Sequence, residues 1–178
     1  MYVFVTVASL VVLLSLMAIT YFDFVSTANI YENGIVAQYT DNQNVYDNGF
    51  KQVLEAAKVT TKQADDLNKL YKEVLSGVKD SGAVLLALGK FNPDMDQNTY
   101  RKVQQLIESF RNDFKQRQTE LIARKNQYKN FLTGSTKNRA VNQFANYPKI
   151  DLATYDIVTS DETQDTFKTK RAKPLDIQ

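Results

Sequence analysis

Five patterns in this chain combine residue types and spacings that chemistry uses, each pointing to a different ligand or reaction. Gly77-Val-Lys-Asp-Ser-Gly82 has the glycine spacing of a phosphate loop. Such a loop needs Lys and then Ser or Thr directly after the second glycine, for the phosphates and their magnesium. Ala83 and Val84 stand there instead, so the stretch reads as a helix end and a loop. Asp94-Met-Asp96-Gln-Asn98 begins like a calcium loop. Its sixth residue is Thr99 where the turn needs Gly, and its twelfth is Gln105 where a bidentate Glu belongs. Helix capping accounts for the same acids. Asp65-Asp66 suggests paired acid–base carboxylates, but neighbours in a helix point about 100° apart and do not share a site. With Lys62, Lys69 and Lys72 nearby, they read as a solvated, charge-balanced face.

The other two patterns are basic. Arg117 and Arg124 interrupt an otherwise apolar helical row. There they either receive an acidic partner, across an oligomer interface for example, or lay their stems on apolar surface with the heads in water. Lys168-Thr-Lys170-Arg171-Ala-Lys173 puts four positive charges into six residues. On a cytoplasmic face such a cluster attracts anionic lipid at about 1 kcal/mol per charge; otherwise it is a soluble tail. Arg117, Arg124, Lys168, Lys170, Arg171 and Lys173 are therefore candidate interaction residues, and no catalytic, cofactor or metal residue is assigned.

Composition narrows the chemistry further. The 178 residues include no Cys, no His and no Trp. Without Cys there is no disulfide framework, thiol nucleophile or thiolate zinc site. Without His there is no imidazole base, no Ser–His–Asp triad and no histidine-ligated metal. The six glutamates form no Glu-x-x-His pair, which excludes a di-iron bundle. Lys and Arg number 22 against 20 Asp and Glu, too even a balance for a chain that grips nucleic acid. The residues thus point away from an enzyme and towards a structural or interaction protein.

The elements that carry these residues follow from charge and periodicity. Residues 1–22 contain no charge, and Asp23 is the first. That run is about as long as a helix needs to cross roughly 30 Å of hydrocarbon. The hydroxyls of Thr6, Ser9, Ser15 and Thr20 can bond back to the preceding turn, and Tyr2 and Tyr21-Phe22 lie where interfacial aromatics sit. Ser26-Thr27-Ala28 offers small residues to a signal peptidase, yet the run exceeds an ordinary signal core and no Lys or Arg precedes it. A retained single-pass anchor, in contact with the bilayer through residues 1–22, is the expectation. All 22 basic residues follow the span, favouring N-outside and C-inside.

Residues 23–148 are expected to form an all-α bundle. Ile35, Tyr39, Tyr46, Phe50, Val53, Ala57, Leu67, Tyr71, Val74 and Val78 keep helical spacing, predicting a helix over 24–79, continuous with the anchor or kinked from it. Thr60 with Gln63 offers a capping box that would restart it. Ser81 to Gly89 is a short apolar run between glycines. Asn92-Pro93 with Asp94 and Asp96 has the chemistry of a helix start, and a helix runs from there to Leu132. In it Tyr100, Ile107, Phe114, Leu121 and Tyr128 repeat every seven residues, with Val103, Phe110 and Phe131 in companion positions. This is the pattern of an antiparallel, coiled-coil-like partner for the first helix. Ala140, Val141, Phe144 and Tyr147 mark a short third helix stopped by Pro148, and residues 149–178 read as an extended polar tail.

That order of parts resembles the LemA family of bacterial membrane proteins. The resemblance rests on Asn33-Gly-Ile-Val36, on Asn138-Arg-Ala-Val-Asn-Gln-Phe-Ala-Asn-Tyr147-Pro148 and on Asp165-Thr-Phe167-Lys168. Where that family carries an Arg-Arg…Asp-Leu-Ile-Pro-Asn-Leu stretch, this chain has Lys62-Gln-Ala-Asp-Asp-Leu67-Asn68 without proline, as a divergent member would. The resemblance implies one transmembrane helix, a helical hairpin and a soluble part inside the cell. It implies no reaction and transfers no catalytic residue. The functional expectation is a membrane-anchored structural protein that presents a helical bundle and self-associates as a homo-oligomer. The alternatives are a phage-type lysis or envelope component like an inner-membrane spanin, with a periplasmic coiled coil, and a helical-bundle sensor module.

Overall fold

A computed structural model describes residues 2–58 and 61–158 of the chain. Among these residues five helices follow one another: α1 (Tyr2–Ala57), α2 (Thr61–Leu75), α3 (Ser81–Phe91), α4 (Gln97–Thr133) and α5 (Thr136–Ala145). Among the described residues there is no strand, so the chain is all-α as its periodicity predicts. It divides into two compact units. One holds the described chain up to Tyr39 with Glu120–Asp156, the other Thr40–Thr119 with Ile157 and Val158. Both α1 and α4 contribute to each.

The apolar run continues without a break past residue 22 as one helix, α1. Residues 3–19 are all exposed, and the segment is long and apolar enough to cross a membrane. Its hydroxyls bond within the helix: Thr6 Oγ1 donates to the Val3 carbonyl at 2.8 Å, and Ser15 Oγ to that of Val11 at 2.9 Å. Ser9 and Thr20 do likewise, so each of these polar groups is satisfied without water.

In the first unit, Phe24, Ala28 and Ile35 of α1 bury against Leu121, Tyr128 and Leu132 of α4 and Ala145 of α5. The pairing is antiparallel: Phe24 stacks on Phe131 at 5.0 Å, and Tyr31, further along α1, stacks on the earlier Tyr128 at 5.8 Å. In the second unit, α1 and α4 again pair antiparallel, and α2 and α3 complete a core of Val53, Leu67, Tyr71, Val74, Leu88, Val103, Ile107 and Phe114. Four of the five heptad residues, from Ile107 to Tyr128, are buried, while Tyr100 at the start of the row is 38 % exposed.

Three boundaries differ from the sequence reading. The helix expected over 24–79 breaks after Ala57, where Lys58 takes a left-handed φ of 52°. The carbonyl of Ala57, orphaned at the helix end, accepts from Asn92 Nδ2 at 3.3 Å. Turning there lets α2 bring Leu67, Tyr71 and Val74 onto the core of the same unit. Gln63 lies in α2, but Thr60, its expected capping partner, lies outside the described residues.

The glycine-bounded run 81–91 is itself a helix, with Val84, Leu85 and Leu88 buried. Finally, α4 starts later than Asn92-Pro93 suggests. Asn92 ends α3, its N–H bonding the Leu88 carbonyl at 2.8 Å, and Asp96 caps α4. Residues 149–158 also depart from an extended polar tail, since Ile150, Leu152 and Tyr155 pack on the first unit's core and Val158 on the second's.

Candidate functional site

The chemical-looking motifs resolve into helix ends. Gly77, at φ 83°, is the left-handed residue that closes α2. Its N–H bonds the Val74 carbonyl at 3.1 Å, and that of Val78 bonds Glu73 at 2.9 Å, the paired bonds of a Schellman stop. Asp96 Oδ1 accepts the N–H groups of Asn98 and Thr99, both at 2.9 Å, and Oδ2 accepts the Thr99 hydroxyl at 2.7 Å. Those bonds favour the ionised carboxylate, and Asp96 titrates below its ordinary value. Asp65 and Asp66 are exposed on α2. Among the described residues no three acidic side chains gather as metal ligands would.

The two stripe arginines have different surroundings. Arg117 is half-buried and pairs inside the second unit with Asp113, one turn back, through Nε at 2.9 Å, and with Asp41 of α1 through Nη1. Its head thus bridges two helices. The carboxylate side chains are 47 % and 42 % exposed, so water competes for them. Replacing Arg117 with Ala is expected to cost about 1 kcal/mol or less. Lys would recover only part of this, because a point charge does not hold two carboxylates as a planar fork does. Chemical denaturation of the full chain in detergent micelles at low and high salt would check both the size and its screening. Arg124 is exposed on the first unit. Its guanidinium lies over α1 at Gly34, where a Cβ would stand 3.4 Å from Nη1. Lys168, Lys170, Arg171 and Lys173 lie outside the described residues, as does the Asp165–Lys168 patch.

A constellation that the sequence did not flag lies in the first unit around Glu32. This carboxylate is 5 % exposed on α1. Oε1 accepts the Tyr128 hydroxyl at 2.7 Å, the Lys149 N–H at 2.6 Å and the Ile150 N–H at 3.4 Å. Asn29, just upstream on α1, accepts the Tyr147 hydroxyl at 2.7 Å. Asn142 of α5 grips the backbone of Tyr147 from both sides, accepting its N–H at 2.8 Å and donating to its carbonyl at 3.0 Å. Asn138 donates to the Phe131 carbonyl at the end of α4 at 2.7 Å. The Asn138–Pro148 patch is therefore a polar clamp that locks α5 and the chain after it onto α1 and α4.

The clamp affects titration. Tyr128 is raised well above the ordinary phenolic value, by burial first and then by its bond to Glu32 and that carboxylate's charge. Burial also raises Tyr71, and the neighbouring Tyr46 adds to it. A raised folded-state pKa means that the folded chain binds the proton more tightly than the unfolded chain. The resulting stability is complete below about pH 10, the ordinary phenolic value, and is lost as pH rises through the higher folded-state values. In an alkaline titration followed by phenolate absorbance and circular dichroism, part of the ten tyrosines should ionise only as helicity is lost. Ionisation of all ten near the ordinary value with helicity intact would contradict this.

Beside the clamp, α5 and the last turns of the apolar segment border an open groove of about 470 Å³, lined by Met17, Tyr21, Phe22, Ala140, Val141 and Phe144 among others. No protein-family model, curated protein or solved structure matches the chain.

Proposed function

We propose that the chain is a single-pass membrane protein that displays a helical bundle of LemA-like organisation as a structural and interaction element. The observation that carries this is the contrast within α1. Leu10, Leu13 and Leu16 are each 56 % exposed, whereas Phe24, Ala28 and Ile35 of the same helix are buried. Leaving such a run half-exposed in water forfeits about 1 kcal/mol per large apolar side chain, roughly half the gain of complete burial, which lipid restores. With all 22 basic residues after the span, the soluble part belongs on the cytoplasmic side. Self-association is part of this reading, but the heptad stripe is not its surface, since Ile107, Phe114, Leu121 and Tyr128 are spent inside the chain.

Membrane fractionation with alkaline carbonate, N-terminal sequencing and a C-terminal topology reporter test the anchor and its direction. The chain should stay with the membrane, keep residues 1–22, and carry a reporter that works in the cytoplasm. Release into the soluble fraction with a new N-terminus after Ala28 would make the segment a signal sequence. A reporter active only outside the cytoplasm would favour the envelope or spanin-like alternative. Crosslinking in the membrane reads self-association directly, and a strictly monomeric chain would remove that part of the reading.

A further inference from the structure

Phe144 is 82 % exposed, more than any other large apolar side chain described beyond residue 22. It stands on α5 at the groove whose other wall is Met17, Tyr21 and Phe22. Lys137, Ala140, Val141 and Phe144 share one face of α5 by spacing, so the exposed Lys137 lies about two turns from the phenyl ring on the same side. The adjoining side of the helix is committed to the fold, through buried Ala145 and the Asn142 clamp.

We propose that this face of α5 is seated in the bilayer, at the boundary of headgroups and acyl chains where the anchor leaves the membrane. A lipid acyl chain occupies the groove, Phe144 sits among the chains and Lys137 reaches the headgroups. This rests on the membrane-anchor reading, and the occupant follows from continuity. One wall of the groove is the last part of the apolar run itself, so whatever solvent surrounds Met17 to Phe22 also meets Phe144. The first unit would then touch the membrane twice, through α1 across it and α5 along it.

The chain has no Trp, so a single introduced indole reports its own surroundings. Phe144→Trp, Leu13→Trp and Leu86→Trp, each in the full chain, serve as the probe, the deep reference and the aqueous reference. Leu86 is 71 % exposed on α3 in the second unit. The variants would be reconstituted in phosphatidylcholine–phosphatidylglycerol vesicles carrying acyl chains brominated at different depths. F144W should emit to the blue of L86W and lose most of its intensity to bromines nearest the headgroups, while L13W loses most to deeper ones. An F144W spectrum like that of L86W, unquenched while L13W is quenched, would overturn the inference and leave the anchor standing. A blue-shifted but unquenched F144W would place protein rather than lipid in the groove and also overturn it. An unquenched L13W would remove the anchor reading, and the inference with it.

Discussion

Replacing Glu32 with alanine is expected to cost the first unit about 3 kcal/mol, with loss of order concentrated in residues 147–150. The carboxylate is buried and one oxygen receives three donors, so truncation strands the Tyr128 hydroxyl and two main-chain N–H groups. Each buried donor left unpaired costs about 1–3 kcal/mol, and water entering the space offsets part of this. Glu32→Gln keeps an acceptor oxygen and should lose less. Tyr128→Phe removes one donor while leaving the two N–H bonds, and should cost about 1 kcal/mol.

Because both residues serve one network, E32A and Y128F combined should cost less than the sum of the two. Thermal unfolding of the full chain in micelles gives the sizes, and hydrogen exchange gives the place. The amides of Lys149 and Ile150 should exchange much faster in E32A and nearly as in the native chain in Y128F. Native-like protection of both amides in E32A would show that the carboxylate does not hold this turn.

The second large effect is expected at Gly49. This residue is buried on α1 where two rings lie directly on the helix backbone. A Cβ there would overlap the Tyr71 hydroxyl and stand 2.9 Å from Phe110 Cγ and 3.0 Å from Cδ1. The Tyr71 ring does not move easily, because it is fully buried between Tyr46 and Phe50, at centroid distances of 5.6 and 5.3 Å. Gly49→Ala improves helix propensity by about 1 kcal/mol. The overlap should nonetheless dominate and leave a net loss of about 2 kcal/mol.

The Tyr71 hydroxyl has no hydrogen-bond partner in its buried setting. Tyr71→Phe alone should therefore be neutral or stabilising by about 1 kcal/mol, since nothing is lost but an unsatisfied group. The double variant should recover part of the G49A loss, the Phe110 contact keeping the rest. Denaturant midpoints of the four proteins decide it. G49A as stable as the native chain would mean that the second unit's helices are not packed this closely.

Much of the architecture was legible along the chain. Twenty-two residues without a charge identify the membrane-length segment, because the cost of burying charge in hydrocarbon leaves a compositional mark. Buried residues recurring every seven positions from Ile107 to Tyr128 show which face of α4 turns inward. The short helix expected before Pro148 is present, although left-handed Asn146, at φ 53°, closes it at Ala145 ahead of the proline.

The errors fell where two local signals competed or where a distant partner decided. Asn92 and Asp96 both have capping chemistry. Asn92 is drawn instead to Ala57, 35 residues back, which leaves Asp96 to start α4. Arg117, breaking an apolar row, could meet an acid or snorkel, and only folding supplies Asp41, 76 positions away, as its partner.

Glu32 was invisible for the same reason. One acid among polar helix residues reads as surface, and only folding brings the backbone of Lys149, 117 residues later, onto its oxygen. Sequence alone determined the helical class, the uncharged apolar segment and the inward faces, since these depend on composition and spacing over a few turns. The tertiary structure decided where α1 stops, what Arg117 and Glu32 bind and which face of α5 stays bare. Those outcomes are contacts between residues far apart in sequence, and local periodicity carries no record of them.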